Sequence, residues 1–135
     1  MSAVRIDHVT KSFGGFVAVD DLSLEVPRGT IYGFIGPNGS GKTTTLRMIM
    51  HILHPDKGDI TVLGEHRRSA ASDRVGYLPE ERGLYKQMKV REQLRFYAEL
   101  KGCRGSRAAI DDWLERLGLA AWADKKVQAL SKGMS

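Results

Sequence analysis

Residues 36–43 read Gly36-Pro37-Asn38-Gly39-Ser40-Gly41-Lys42-Thr43. The stretch matches G-x-x-x-x-G-K-[ST], the pattern of a loop that cradles phosphate. Gly36, Gly39 and Gly41 put no side chain in the way, so backbone N–H groups can point at phosphate oxygens. A helix beginning near Lys42 adds its positive N-terminal end. Lys42 places a cation between β- and γ-phosphates, and Thr43 offers a hydroxyl to Mg²⁺. With glycine near 7% of residues, a chance match in such a chain is of order one in a hundred or rarer. The alternative is a glycine-rich turn with an incidental lysine. The flanking sequence favours the phosphate loop, because a strand is expected before it and a helix after it.

Working outward, Ile31-Tyr-Gly-Phe-Ile35 is nearly continuous in apolar residues, the pattern of a strand covered on both faces. Leu46, Ile49, Met50 and Leu53 recur at helical spacing on the other side, with Pro55 and Gly58 expected to end that helix. Farther upstream, Val4, Ile6 and His8 alternate with polar residues, as do Leu22, Leu24 and Val26. Both read as half-buried strands, punctuated by Gly14-Gly15 and by the turn Pro27-Arg28-Gly29. Ile60 to Leu63 is a short strand closed by Gly64, and Arg74 to Leu78 another stopped by Pro79. The character changes near residue 86. Val90, Leu94, Tyr97 and Ala98 predict one amphipathic helix ended by Gly102. Ser106 is a plausible N-cap for a second, with Ile110, Trp113, Leu114 and Leu117 inward and Gly118 at its end. The expected organisation is a nucleotide-binding α/β core with an antiparallel β segment over 1–86, then a helical subdomain over 87–135.

The chain has 135 residues, the length of one ordinary domain. With 41% hydrophobic and 27% charged residues, 15 Gly and 4 Pro, it is not collagen-like, coiled-coil or low-complexity. Its longest nearly apolar stretch, Leu46 to Leu53, is broken by Arg47 and His51 and falls far short of the roughly 18 residues of a membrane span. The N-terminus shows no apolar signal region. The single cysteine, Cys103, suits a reducing, cytosolic setting. The net charge is +5, but the basic residues are scattered, so no nucleic-acid surface is expected.

Three further motifs flank the loop in order: Thr10-Lys-Ser-Phe13-Gly14, Gly76-Tyr-Leu-Pro-Glu80 and Ala129-Leu-Ser-Lys-Gly-Met134. Together with residues 36–44 they resemble the ATP-binding subunit of ABC transporters, over the whole chain. The resemblance implies a P-loop NTPase of the ABC-ATPase type, binding ATP and Mg²⁺. Gly36, Pro37, Asn38, Gly39, Ser40, Gly41, Lys42, Thr43 and Thr44 would hold the phosphates. Phe13 falls where the family stacks an aromatic ring on adenine, the alternative being a core phenylalanine. Glu80 falls where the family usually has a Q-loop glutamine, which senses Mg²⁺ and couples to the transporter. A carboxylate there can still ligate Mg²⁺; the alternative is a solvated acid after Pro79. Leu130-Ser-Lys-Gly-Met134 aligns with the signature LSGGQ, with Lys132 replacing a glycine and Met134 the glutamine. Ser131 and Gly133 keep the expected types and would contact the γ-phosphate held by a second subunit. Alternatively, Ser131 caps a helix starting next. The run from Tyr77 to Tyr85 looks like bacterial exporters of sodium-extrusion or multidrug type.

The implied partners are membrane-spanning transporter subunits and a second ATP-binding subunit, with the protein cytoplasmic at the inner face of the membrane. Three family elements that follow the signature have no counterpart before Ser135: the Walker B aspartate, its neighbouring glutamate and a switch histidine. The expectation is therefore an N-terminal part of a longer ATPase, with no catalytic residues of its own and not hydrolytically competent alone. Phe16-Val-Ala-Val-Asp20-Asp21 has the form of a Walker B but precedes the loop, where the family has antiparallel sheet. The histidines at 8, 51, 54 and 66 fall outside the switch context, and His51 and His54 read as polar positions beside a helix C-terminus. Two other readings stand beside the transporter: a soluble ABC-type ATPase of translation or DNA repair, and a nucleotide-binding remnant without turnover.

Overall fold

The computed structural model describes residues 1–66, 74–80, 83–131 and 133–134. They form two compact units, Met1–Leu78 and Pro79–Ser135.

In the first unit, β1 (Ser2–Phe13) and β2 (Phe16–Pro27) make a long hairpin around Gly14-Gly15. Gly14 takes φ 58, which a two-residue hairpin turn favours. With β3 (Lys57–Val62) and β4 (Glu65–His66) they build an antiparallel sheet in the order β2-β1-β3-β4. Register follows the apolar alternation: Ile6 stands between Leu24 and Ile60, and Val4 between Val26 and Val62. One face therefore buries Ile6, Val9, Val19, Ile60 and Val62. Met48 of α1 (Lys42–Ile49) covers that face and is fully buried. Each such side chain contributes about 1.5–3 kcal/mol by leaving water.

Gly58, at φ 82, has a conformational reason to be glycine and a steric one. A β-carbon there would collide with the carbonyl oxygens of Asp7 and His8 on β1. Helix α1 ends earlier than its apolar spacing predicts, well before Pro55 and Gly58. His51 adopts left-handed backbone (φ 58) and donates its N–H to Met48 O, while Ile52 N–H reaches Arg47 O. That pair of bonds is a Schellman ending, with histidine where glycine is usual. The inward face of α1 is also rotated, for Thr45 and Met48 are buried while Leu46 is exposed.

Two predicted strands are not strands. Ile31–Ile35 is irregular, with Ile31 103% and Ile35 96% exposed. A strand covered on both faces needs neighbours for its N–H and C=O groups. Among the described residues no parallel partner is present. Residues 74–78 likewise join no sheet, although Val75 packs against the core.

In the second unit, α2 (Val90–Leu100) and α3 (Arg107–Arg116) are followed by short 3-10 turns at Ala120–Trp122 and Val127–Ala129. Val90, Ile110, Leu114, Ala123 and Val127 form its core. Arg91 of α2 pairs with Asp111 of α3 and with Asp124. Both helices end in Schellman pairs: Gly102 and Cys103 donate to Glu99 and Ala98, and Gly118 and Leu119 to Glu115 and Leu114. Ser106 stands at the N-cap of α3 but makes no side-chain capping bond. Of the four residues expected inward on α3, Ile110 and Leu114 are buried, while Trp113 and Leu117 are exposed. The i, i+4 pair fills the contact with the rest of the unit. Trp113 instead lies under the guanidinium of Arg116, 5.5 Å from its ring centroid.

Candidate functional site

The phosphate loop is seated directly on β2. Gly41 (φ 88) is the N-cap of α1, and a β-carbon there would collide with the carbonyl oxygen of Ala18. Gly39 is also left-handed, at φ 82. At Gly36 a β-carbon would lie 2.8 Å from Ser40 Oγ, so a side chain there would displace the serine hydroxyl. Ser40 N–H closes a turn on Pro37 O at 3.2 Å. Thr45 makes the first helical bond to Gly41 O at 2.9 Å, and its hydroxyl donates to the same oxygen at 2.8 Å. No side chain caps α1 and no acid lies in its first turn, so its leading N–H groups and dipole stay available to an anion.

Lys42 lies back along the loop. Its ammonium donates to the carbonyls of Gly36 and Pro37, the latter at 2.8 Å. A cavity of about 190 Å³ is lined by residues 37–44 together with Phe16 and Ala18. A second, of about 360 Å³, shares Ala18, Pro37, Ser40 and Lys42 and continues along Val19, Asp20 and the stretch 34–36. The loop residues singled out from sequence, including Thr43 and Thr44, thus converge on one concave surface.

For a divalent cation, the donor set is spare. Thr43 supplies an exposed hydroxyl beside Lys42. No group of three or more His, Cys, Asp or Glu positioned to hold a metal occurs among the described residues. A hydroxyl is an oxygen donor of the kind Mg²⁺ takes beside water and phosphate.

Phe13 stands at the tip of the hairpin, directly across from Phe16. Of the two, Phe16 borders the smaller cavity. Phe13 instead faces Lys11, whose ammonium is 5.3 Å from its ring centroid. Asp56 anchors this end of β1. It accepts from Ser12 N–H at 2.7 Å and from Lys11 Nζ at 3.0 Å, and donates its own N–H to Thr10 O at 2.8 Å. The Ser12 N–H first, then Lys11, hold the Asp56 carboxyl below its ordinary value. Sequence reasoning missed both Phe16 and Asp56. The signal for Phe16 was present in Phe13-Gly-Gly-Phe16, two aromatics flanking a two-residue turn. Asp56 lies 44 residues from its partner Ser12, and nothing local announces it.

Glu80, Ser131 and Gly133 belong to the second unit and are exposed there. The Ser131 carbonyl accepts the Met134 N–H at 3.1 Å. Lys132, and residues 81–82 within the Tyr77–Tyr85 run, lie outside the described residues. No helix among the described residues is long and apolar enough to cross a membrane.

Comparison with known proteins adds the family. A family model described as ABC transporter matches residues 19–135. The chain is 48% identical over 132 residues to the ABC transporter ATP-binding protein YhaQ of Bacillus subtilis, covering 96% of this chain and 44% of that protein. It is 43% identical over 141 residues to the Nod factor export ATP-binding protein I of Bradyrhizobium diazoefficiens, covering 99% of this chain and 46% of that one. The chain thus spans about half the length of these curated relatives. A solved ATP-binding subunit of an ABC transporter superposes with a TM-score of 0.85 at 24% identity, over 98% of this chain and 57% of the other, which shows the same fold. The chain belongs to the ABC transporter family of ATP-binding proteins.

Proposed function

We propose that this chain is the nucleotide-binding part of an ABC transporter ATP-binding subunit, holding MgATP at residues 36–44. The observation that supports it most is the seating of the loop. Gly41 rests on β2, and the start of α1, Lys42 and Thr43 all face one cavity. In this reading the amides after Gly41 take the phosphate oxygens, Lys42 bridges the outer phosphates, and Thr43 holds Mg²⁺. When bound, the cation would offset phosphate charge. Phe13 and Phe16 offer aromatic faces to the base from the hairpin tip. Glu80 serves the metal as a carboxylate in place of the family's glutamine. Ser131 and Gly133 meet the nucleotide of a second ATP-binding subunit.

Binding rather than turnover is the activity proposed for these 135 residues. Among the described residues, Asp20 is the acid bordering the larger cavity, and it sits on an antiparallel strand before the loop. The partners proposed are membrane-spanning subunits, with this chain on the cytoplasmic side. The relative named for Nod factor export favours export as the direction.

The test is a fluorescence titration with a mant-labelled ATP. Lys42→Ala removes charge-assisted hydrogen bonds worth about 1.5–3 kcal/mol, so affinity should fall about 10- to 100-fold. Unchanged affinity would sink the phosphate-loop assignment. Phe13→Ala and Phe16→Ala, read against inorganic triphosphate, then show which ring meets the base. A ring that stacks on adenine affects ATP and leaves triphosphate alone.

A further inference from the structure

Strands β1 and β2 are each bent once by a non-glycine residue in left-handed backbone, and the two bends face each other. His8 takes φ 47 and Asp21 φ 46, a conformation costly to residues with a β-carbon. The ladder slips around them: Ile6 pairs with Leu24, Val9 with Leu22 and Lys11 with Val19. The bends are tied together across the strands. His8 Nδ1 lies 2.7 Å from Asp21 Oδ1. His8 N–H donates to Ser23 Oγ at 2.9 Å, and Asp21 N–H donates to Thr10 Oγ1 at 3.1 Å. Behind the first bend, the His8 carbonyl presses on Gly58 of β3, which has no room for a side chain.

The stretch of β2 just before Asp21 carries the contacts of the phosphate loop. Ala18 and Val19 abut Gly41, and Phe16 and Ala18 line the cavity. The geometry points to His8 and Asp21 as positioning residues for the phosphate loop: their ion pair pins the double bend, and the bend sets where Ala18 meets Gly41. This deepens the nucleotide-binding reading above and rests on it.

The pair answers to pH. Asp21, by hydrogen bond and then by charge, and Asp7 more weakly, raise the pKa of His8 above its ordinary value. The charged groups around it are Arg5 and Asp7 on β1, Asp20 and Asp21 on β2, and Lys57 and Asp59 on β3. Asp7 Oδ1 is 3.9 Å from His8 Nε2, Arg5 is 4.0 Å from Asp7, and Asp59 is taken by His66 at 2.9 Å. Protonated His8 grips Asp21 as a charge, and neutral His8 holds it by a hydrogen bond alone. Nucleotide affinity should therefore decline as pH rises through the raised His8 value.

The test measures mant-ATP affinity of the 135-residue chain from about pH 5.5 to about pH 8.5, bracketing the ordinary histidine value. Asp21→Gly keeps a backbone free to bend left-handed and removes the carboxylate. The ratio of wild-type to variant affinity cancels the titration of the nucleotide itself. We expect that ratio to fall about threefold from the acid to the alkaline end, which by linkage means that bound nucleotide raises the His8 pKa. NMR of the imidazole resonances reads the second quantity directly. His66, paired in the same way with Asp59, is the internal reference for the general field of the nucleotide. Should Asp21→Gly fail to fold, His8→Gln carries the same comparison, as it keeps a hydrogen-bond donor and removes the titration. A pH-independent ratio, or equal shifts of His8 and His66, would overturn the proposal while leaving nucleotide binding intact. Absence of binding in wild type and variant alike overturns the phosphate-loop reading and this one with it.

Discussion

Ile60-Thr-Val62 and Ile31-Tyr-Gly-Phe-Ile35 are both short, apolar and bounded by turn residues, yet they meet opposite fates. Ile60 has no exposed surface, while Ile31 and Ile35 are almost wholly exposed. The side chains are of the same kind. What differs is the backbone's company: β3 has β1 on one edge and β4 on the other, whereas residues 31–35 join no sheet among the described residues. Apolar content makes a segment willing to be a core strand, and a hydrogen-bonded neighbour makes it one.

The comparison can be broken by mutation, and Ile60→Ala gives the largest effect. It should cost about 2–5 kcal/mol, because the side chain is fully buried beneath Met48 and beside Ile6. Denaturant unfolding followed by far-ultraviolet circular dichroism reads it. A loss below about 1 kcal/mol would mean that β3 is not the packed strand described. Gly58→Ala comes next. It forces a β-carbon into left-handed backbone and against the His8 carbonyl, for about 1–3 kcal/mol in the same experiment. A neutral result would deny the close approach of β3 to the bent part of β1.

Asp56→Asn sharpens the comparison through pH. The folded carboxyl is held below its unfolded value of 3.8. Its contribution is therefore present above that value and is lost as pH falls through the lower folded one. The wild-type chain should lose stability across that acid window more steeply than the variant, as acid melts at graded pH would show. His8 runs the other way. Its raised value gives a contribution present below the ordinary 6.5 and lost as pH rises through the folded value. The two ties of the hairpin thus fail at opposite ends of the pH scale. The smallest effect belongs to Ile31→Ser, which should change stability by no more than about 0.5 kcal/mol, since the side chain touches little. A large loss there would show residues 31–35 to be packed after all.

Much of this was legible in the residues themselves. The glycine-rich loop pattern, the alternation of Val4 with Ile6 on β1 and of Leu22, Leu24 and Val26 on β2, and the glycines that close α2 and α3 are local signals. His8, expected to continue the β1 alternation, is exposed because the strand bends there, and Val9 is buried instead. Most of what escaped was non-local. Whether Ile31–Ile35 pairs depends on a partner strand, which its own sequence does not contain. The early end of α1 depended on His51 accepting left-handed backbone, a role that composition assigns to glycine. Trp113 and Leu117 were expected inside because periodicity counts apolar residues without asking how much neighbour is available to cover them. Asp56 matters through its closure on Ser12, 44 residues away, which no window of sequence displays. Phe16 was announced locally by the two aromatics of Phe13-Gly-Gly-Phe16 and went unread.

The ammonium of Lys42 carries three N–H groups. Two acceptors, the carbonyls of Gly36 and Pro37, already engage it. Among the described residues no acceptor takes the third N–H. A first phosphate oxygen can take that remaining donor while the lysine still braces its own loop, so first contact requires no rearrangement. A second oxygen on the same ammonium requires a carbonyl to let go. On the proposed reading Lys42 is a reserved hand: it would greet any phosphate, and would commit fully only to a ligand with more than one oxygen to offer.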